Sequence, residues 1–170
     1  GNANIWILNL AQQSWTPITN ISTQSLNAGQ GFLIYVFNDI DFDGNNDLPV
    51  DLFLSGTQNT GSVSKSSIPQ DNYYLAGNPF TKTISWNDIS KNNLSNVISI
   101  WDNSTASWKM WNGSSGDLSN GLIAPFQGFW IQASGGIGSF TIEEEDIATG
   151  SSTLIRQRND HEDSGKLTLS

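Results

Sequence analysis

The chain has 170 residues, no cysteine, and seven Lys and Arg against sixteen Asp and Glu, for a net charge of −9. That balance leaves no basic footprint for nucleic acid and sets the chain against an anionic membrane surface, while the lack of cysteine excludes disulfides and thiolate metal sites. No run approaches the roughly 20 apolar residues of a membrane span, and the N-terminus lacks the basic, apolar, small-residue order of a signal peptide, so a soluble chain is expected, with any targeting segment outside it.

Seven Trp and sixteen Gly among abundant Asn, Ser and Thr describe short strands joined by tight turns. Residues 4–10 alternate through Ile5, Trp6, Ile7 and Leu8, and Trp15 follows a polar turn, which predicts a β-hairpin. Pro17 restricts the next piece to an edge or loop. The run 32–37, after Gly29 and Gly31, is continuously apolar and predicts a core strand buried on both faces. An acidic loop, 38–47, then leads to an alternation of Val50, Leu52 and Leu54, predicting that these two stretches pair as a hairpin. Residues 55–72 are polar and read as a connection.

Tyr73, Tyr74, Leu75 and Ala76 form a short predicted strand stopped by Gly77-Asn78-Pro79. Ser85 and Asp88 have the spacing of a helix N-cap, predicting one short helix through about Lys91 with Trp86 and Ile89 toward the sheet. Residues 97–101 and 107–111 predict a second hairpin around Asn103-Ser104-Thr105, and further strands follow at 127–133 and 139–142. From Glu143 the composition turns acidic and then mixed, as in a solvated face or linker, before a last alternation at 166–169.

Gln127-Gly128-Phe129-Trp130-Ile131 repeats Gln30-Gly31-Phe32-Leu33-Ile34 at a distance of 97 residues, and Ile100-Trp101 to Trp108 matches Ile5-Trp6 to Trp15. The expected fold is therefore all-β, two related antiparallel β units, sandwich or barrel-like, with at most one short helix. The expected organisation is a first unit and connection over 1–72, a second unit over 73–142 and an acidic linker with the start of a further strand over 143–170. A shared aromatic core is expected around Phe32, Ile34, Phe129 and Ile131. Nothing before residue 4 corresponds to 73–96, so the chain is read as starting inside a repeat.

Asp39, Asp41, Asp43, Asn45 and Asp47, with Gly44 at the bend, have the spacing D-x-D-x-D-G-x-x-D, which converges alternate oxygens on a hard cation. The flanks are predicted strands and Val50 stands where an EF-hand places its bidentate Glu, so a different Ca²⁺ loop is expected, structural rather than catalytic. The competing reading is a polar loop held by Asx turns that binds nothing.

Catalytic sets are missing. His161 is the one histidine and lies in the charged tail, and Asp51, Asp71, Asp88, Asp102 and Asp117 fall at turns where capping suits them. The chain is read as non-catalytic. Trp101, Trp108, Trp111 and Trp130, with Asn112 nearby, are candidate ligand-binding residues, because flat aromatic faces and amide edges suit sugar rings. Adjacent strand residues point to opposite faces, so core packing competes with that reading, and Trp108 or Trp111 is expected to be the exposed member.

The motifs Leu75-Ala76-Gly77-Asn78-Pro79-Phe80, Ile84-Ser85-Trp86, Ile100-Trp101-Asp102 and Ala124-Pro125-Phe126-Gln127-Gly128-Phe129-Trp130 together resemble the repeat region preceding the C-terminal sorting domain in secreted or surface proteins of the Bacteroidetes type IX secretion system. The first half is similar to the same family's Gly-Phe strand, Asp-rich loop and Leu-Pro strand, so the likeness spans most of residues 4–142. The resemblance implies export, a secreted or cell-surface site, neighbouring domains in a longer chain and a non-catalytic role. Adhesion or polysaccharide binding is what such company implies, and a structural spacer displaying neighbouring domains is the alternative.

Overall fold

A computed structural model describes residues 3–20, 22–39, 41–47 and 57–152. The expected strand at 48–54, its pairing with 32–37, the tail with His161 and the alternation at 166–169 lie outside the described residues.

The fold is all-β and built from several antiparallel sheets; among the described residues, helical structure is limited to two three-residue 3₁₀ turns. None of it is long and apolar enough to cross a membrane. In the first half, β1 (Ile5–Asn9), β2 (Ser14–Pro17) and β3 (Phe32–Ile34) form a sheet of order β2-β1-β3. Pro17, which cannot donate to a ladder, ends the edge strand β2. The second half contains β4 (Val63–Ile68), β5 (Tyr73–Gly77), β6 (Ile84–Ser85), β7 (Ser90–Asn92), β8 (Ile98–Asp102), β9 (Ser107–Trp111), β10 (Leu122–Ile123), β11 (Gly128–Gln132) and β12 (Gly138–Ile142). Its sheets are β5-β11-β8-β9 and β4-β12-β7, with a small β10-β6 pair.

The two hairpins follow one pattern. Leu8 faces Trp15 across β1 and β2, and Trp101 faces Trp108 across β8 and β9, which relates the hairpins by an offset of 93 residues. The same offset relates Asn9 to Asp102, whose side chains each accept turn N–H groups, and Gln13 to Ala106, both at positive φ (49° and 46°). Trp6 pairs with Leu33 as Ser99 pairs with Trp130. The sequence match of Ile5-Trp6 to Ile100-Trp101 is thus slipped by two residues. A slip of two keeps every side chain on its own face, so the alternation alone does not reveal it.

The core belongs to the second half. Ile68, Ile84, Trp86, Ile98, Ile100, Phe129, Ile131, Phe140 and Ile142 form one buried cluster. Side chains from β8 and β11 meet those of β4 and β12 there. Phe129 and Ile131 are each 1% exposed, as expected, but their counterparts differ: Phe32 is half-buried and Ile34 is 41% exposed. The run 32–37 is therefore not a strand buried on both faces. It supplies three strand residues, paired to β1, and none of them joins the core cluster.

No helix forms at 85–91. Ser85 pairs with Leu122 in β6, a turn follows with Asp88 N–H donating to the Ser85 carbonyl at 3.2 Å, and Ser90–Asn92 pairs with β12. Seven residues are too few to carry helix nucleation when pairing satisfies the backbone on both sides. Trp86 and Ile89 do face the core, at 1% and 2% exposure. Lys91 Nζ lies 4.7 Å from the Trp86 ring centroid and donates to the Trp86 and Ile89 carbonyls at 2.9 and 3.1 Å, closing the turn.

The polar stretch expected as a connection contains β4, which alternates and ends on the fully buried Ile68. The acidic segment after β12 also stays on the body. Asp146, 6% exposed, accepts the Glu143 N–H at 2.7 Å, Ile147 bridges to Ile84, and Ala148 N–H donates to the Thr83 carbonyl.

The Gly77-Asn78-Pro79 motif has a physical reason. Asn78 is 3% exposed, and its amide donates to the carbonyls of Lys82 (2.9 Å), Ile123 (3.2 Å) and Ala124 (2.9 Å) while its oxygen accepts from Phe80 N–H (2.9 Å). One buried side chain thereby ties the turn after β5 to Ile123 and Ala124 with all of its amide hydrogen-bonding groups used.

Matched positions in the two halves give a test. Ile131→Ala is expected to cost about 2–5 kcal/mol, as for a fully buried aliphatic, and Ile34→Ala about 1 kcal/mol or less. Urea denaturation of both variants measures this. Equal losses would show that β3 is packed as tightly as β11.

Candidate functional site

The outer face of β5-β11-β8-β9 carries the tryptophans that alternation points away from the core. In β8, Ile98 and Ile100 are buried and Trp101 is 41% exposed; in β9, Trp108 is 48% and Met110 44% exposed, while Trp111 is 7% exposed. Trp101 and Trp108, directly opposed, pack edge to face with ring centroids 5.2 Å apart and an interplanar angle of 68°. Trp101 Nε1–H donates to Asn103 Oδ1 at 2.7 Å. Ring contact and hydrogen bond together hold the Trp101 indole in one orientation on an open surface. The two rings are not coplanar, so the platform is narrower than two stacked faces would give.

The other candidates are placed elsewhere. Trp111, expected with Trp108 as an exposed member, is instead a core residue, because it pairs with the buried Ile98 and points inward. Its Nε1–H donates to Asn87 Oδ1 at 3.1 Å. Trp130 is on the outer face but half-buried, packed edge-on by Trp15 (5.8 Å, 78°) and Tyr73 (6.4 Å, 83°). Asn112 is exposed, but its Oδ1 accepts the Ser114 and Ser115 N–H groups at 3.0 and 2.8 Å and its amide donates to Ser115 Oγ, so it holds a turn. Sequence reasoning missed Met110 as a platform member, although its place two residues after Trp108 puts it on the same face.

Beneath the platform, Asp102 organises the hairpin turn. Its Oδ1 accepts from Ser104 N–H (2.9 Å) and Oγ–H (2.6 Å), its Oδ2 accepts from Thr105 Oγ1–H (2.9 Å), and Lys109 Nζ stands 4.0 Å away. The Ser104 hydroxyl first, then Thr105, holds this carboxyl below its ordinary value of 3.8, against an opposing effect of desolvation.

In the acidic loop, oxygens of Asp39, Asp41 and Asp43 lie within 4.8 Å of one another. Asp43 N–H donates to Asp39 and Asp41 at 3.2 Å each, Gly44 N–H donates to Asp39 at 3.0 Å, and Asn45 donates its N–H (2.8 Å) and side-chain amide (2.7 Å) to Asp43. The Asn45 N–H, then its amide, lowers the Asp43 carboxyl below 3.8. Asp47 stands outside that trio and closes the loop through its N–H to the Asn38 carbonyl. Three gathered carboxylates fit the all-oxygen donor set of Ca²⁺, whose bonds of about 2.3–2.6 Å allow oxygens on opposite sides of the ion to stand that far apart. The same hydrogen bonds are also those of Asx turns, so both sequence readings of the loop survive in its geometry.

A cleft of about 50 Å³ between Gln58, Phe80, Thr81 and Glu144 lies away from the tryptophans and falls well below the roughly 300 Å³ at which small-molecule pockets begin. Comparisons with protein-family models, with curated proteins and with solved structures found no match.

Because the Asp102 carboxyl is depressed, its contribution to stability is present above pH 3.8 and is lost as pH falls through the lower folded value. Asp102→Asn is expected to be less stable than wild type at neutral pH, with the gap narrowing below about pH 4. Denaturant midpoints measured from pH 7 to pH 3 check this, and a gap constant across that range would refute it.

Proposed function

We propose that the chain is a non-catalytic binding module of a secreted or cell-surface bacterial protein, which holds a glycan on the Trp101–Trp108 platform and is stabilised by Ca²⁺ in the acidic loop. One observation carries the glycan reading: two tryptophan side chains, 41% and 48% exposed, stand in ring contact on one sheet face, and one of them is held by a hydrogen bond to Asn103. Leaving such rings in water forgoes burial that each would otherwise gain, and holding one through Asn103 is organisation that a solvated face does not need. The motif resemblance supports export. The acidic balance favours an uncharged partner over an anionic one.

A second reading is a spacer that displays neighbouring domains. Its support is that Trp111 and Trp130 are consumed by packing and that the exposed pair meets edge to face. A glycan array followed by Trp108→Ala separates the two. Under the binding reading Trp108→Ala loses glycan affinity with about 1 kcal/mol or less of stability, as for an exposed side chain, whereas a packing role would cost roughly 3–5 kcal/mol. An array with no hits would leave the spacer.

Ca²⁺ at a hundredfold excess over its dissociation constant stabilises a folded state by about 2.7 kcal/mol. Thermal melts in Ca²⁺ are therefore expected to lie above melts in chelator, and the difference should collapse in Asp41→Asn. Coincident wild-type curves would leave the loop as Asx turns alone.

A further inference from the structure

The platform has a floor that neither its aromatic residues nor its turn explains. β11 runs antiparallel to β8 with Trp130 opposite Ser99. Extending that register by two residues, back along β11 and forward along β8, puts Gly128 next to Trp101 on the outer face. Gly128 in turn pairs with Gly77 on β5. The cross-strand row that begins with Trp108 and Trp101 thus continues as two positions with no side chain, and the row beside it carries Met110, Ser99 and Trp130.

Packing does not require the glycine at 128. A Cβ there would meet only the Ala76 carbonyl and Leu75 Cδ1, both at 3.8 Å, which is ordinary contact, and its φ is not in the left-handed region. The matching glycine of the first copy is different: a Cβ on Gly31 would stand 2.5 Å from Leu75 Cγ and 2.8 Å from the Ala76 carbonyl. Glycine weakens a strand interior and often marks a place where something approaches the backbone closely. The motif therefore needs its glycine for close packing in the first copy, and in the second copy leaves the half-buried Gly128 without a side chain between the Gly77 position, which backbone of 30–31 covers, and the fixed indole.

We infer that Gly128 is the floor of the Trp101 site and that the ligand is an uncharged glycan of flat, equatorially substituted pyranose rings. This rests on the glycan reading above. Such rings present C–H faces that lie against an indole face, and a ring beside Trp101 must rest on β11, where any side chain larger than hydrogen would lift it. Among the described residues no cation is recorded on the outer face around Trp101, because Lys109 alternates to the other side of β9 and stands 4.0 Å from Asp102. An anionic glycan would have no counter-charge there and would meet a chain of net charge −9.

Isothermal titration with cellohexaose, and with oligogalacturonate as the anionic comparison, tests this. Wild type is expected to bind cellohexaose and not oligogalacturonate. Gly128→Val should lower cellohexaose affinity at least tenfold while melting at or above the wild-type temperature, since valine suits a strand and has room for its Cβ. Trp101→Ala should also lose binding. If Gly128→Val binds as wild type while Trp101→Ala does not, the floor is overturned and the platform stands. Preference for oligogalacturonate overturns the ligand class, and no binding of either glycan overturns the inference together with the reading beneath it. Should Gly128→Val melt early, Gly128→Ala replaces it, with a smaller loss expected and wild-type affinity counting against the floor.

Discussion

Among the described residues, the backbone pairing that joins the two halves runs along β5, a strand held along both edges. On one side Ala76 pairs with Phe129 of β11; on the other it bridges to Gln30, while Gly31 N–H donates to the Leu75 carbonyl at 3.1 Å and Gly77 N–H donates to the Gly29 carbonyl at 3.0 Å. This approach is possible only with glycine, because Cβ atoms at 29 and 31 would overlap Val63 and Leu75 at 2.5 Å. At the start of the same strand, the Gln13 side chain accepts the Tyr73 N–H at 2.8 Å and donates to the Tyr73 carbonyl at 3.0 Å, standing in for a backbone partner. The first hairpin is thereby anchored with little apolar burial of its own.

That anchoring explains which parts of the fold could be read from the sequence. Strand alternation and turn chemistry were legible for both hairpins, because Asn9 and Asp102 enforce their turns locally. Burial was not legible in the same way. Phe32 and Ile34 match Phe129 and Ile131 in type and spacing, yet their exposure depends on whether another layer lies across the sheet, a long-range fact with no local signature. The helix reading at 85–91 failed for a related reason, since cap spacing is local and the pairing of Ser85 with Leu122 and Ser90 with Thr141 is not. In the candidate site, Trp108 and Trp111 stand three residues apart in β9 and so face opposite ways, although the sequence made both of them candidates for exposure. Which of them is outside follows only once Ile98 is known to face the core.

Part of the chain's negative charge is engaged in shaping its turns. The carboxylates of Asp39, Asp41, Asp43, Asp102 and Asp146 each accept at least one backbone N–H, in the acidic loop, at the end of β8 and in the 3₁₀ turn after β12. A loop that spends its carboxylates on its own amides is shaped before any ion arrives. This is why the geometry of 39–45 accommodates both a cation and a self-sufficient Asx loop, and why its occupancy is a question of stability more than of shape.

The two hairpins show how one frame serves different ends. Trp15 and Trp108 hold equivalent positions, as do Leu8 and Trp101. In the first copy Trp15 turns its ring onto Trp130 and helps to cover the outer face of the neighbouring sheet, at a centroid distance of 5.8 Å. In the second copy the equivalent Trp108 packs edge to face with Trp101 and is 48% exposed. The first hairpin is anchored at the β5 and β11 side of that sheet, and among the described residues no ring contact reaches Trp101 or Trp108 from it. The two positions differ in their partner more than in their exposure: Trp15, 37% exposed, spends its ring contact on Trp130 of the neighbouring sheet, and Trp108, 48% exposed, spends it on Trp101 of its own hairpin, which leaves the pair together on the outer face.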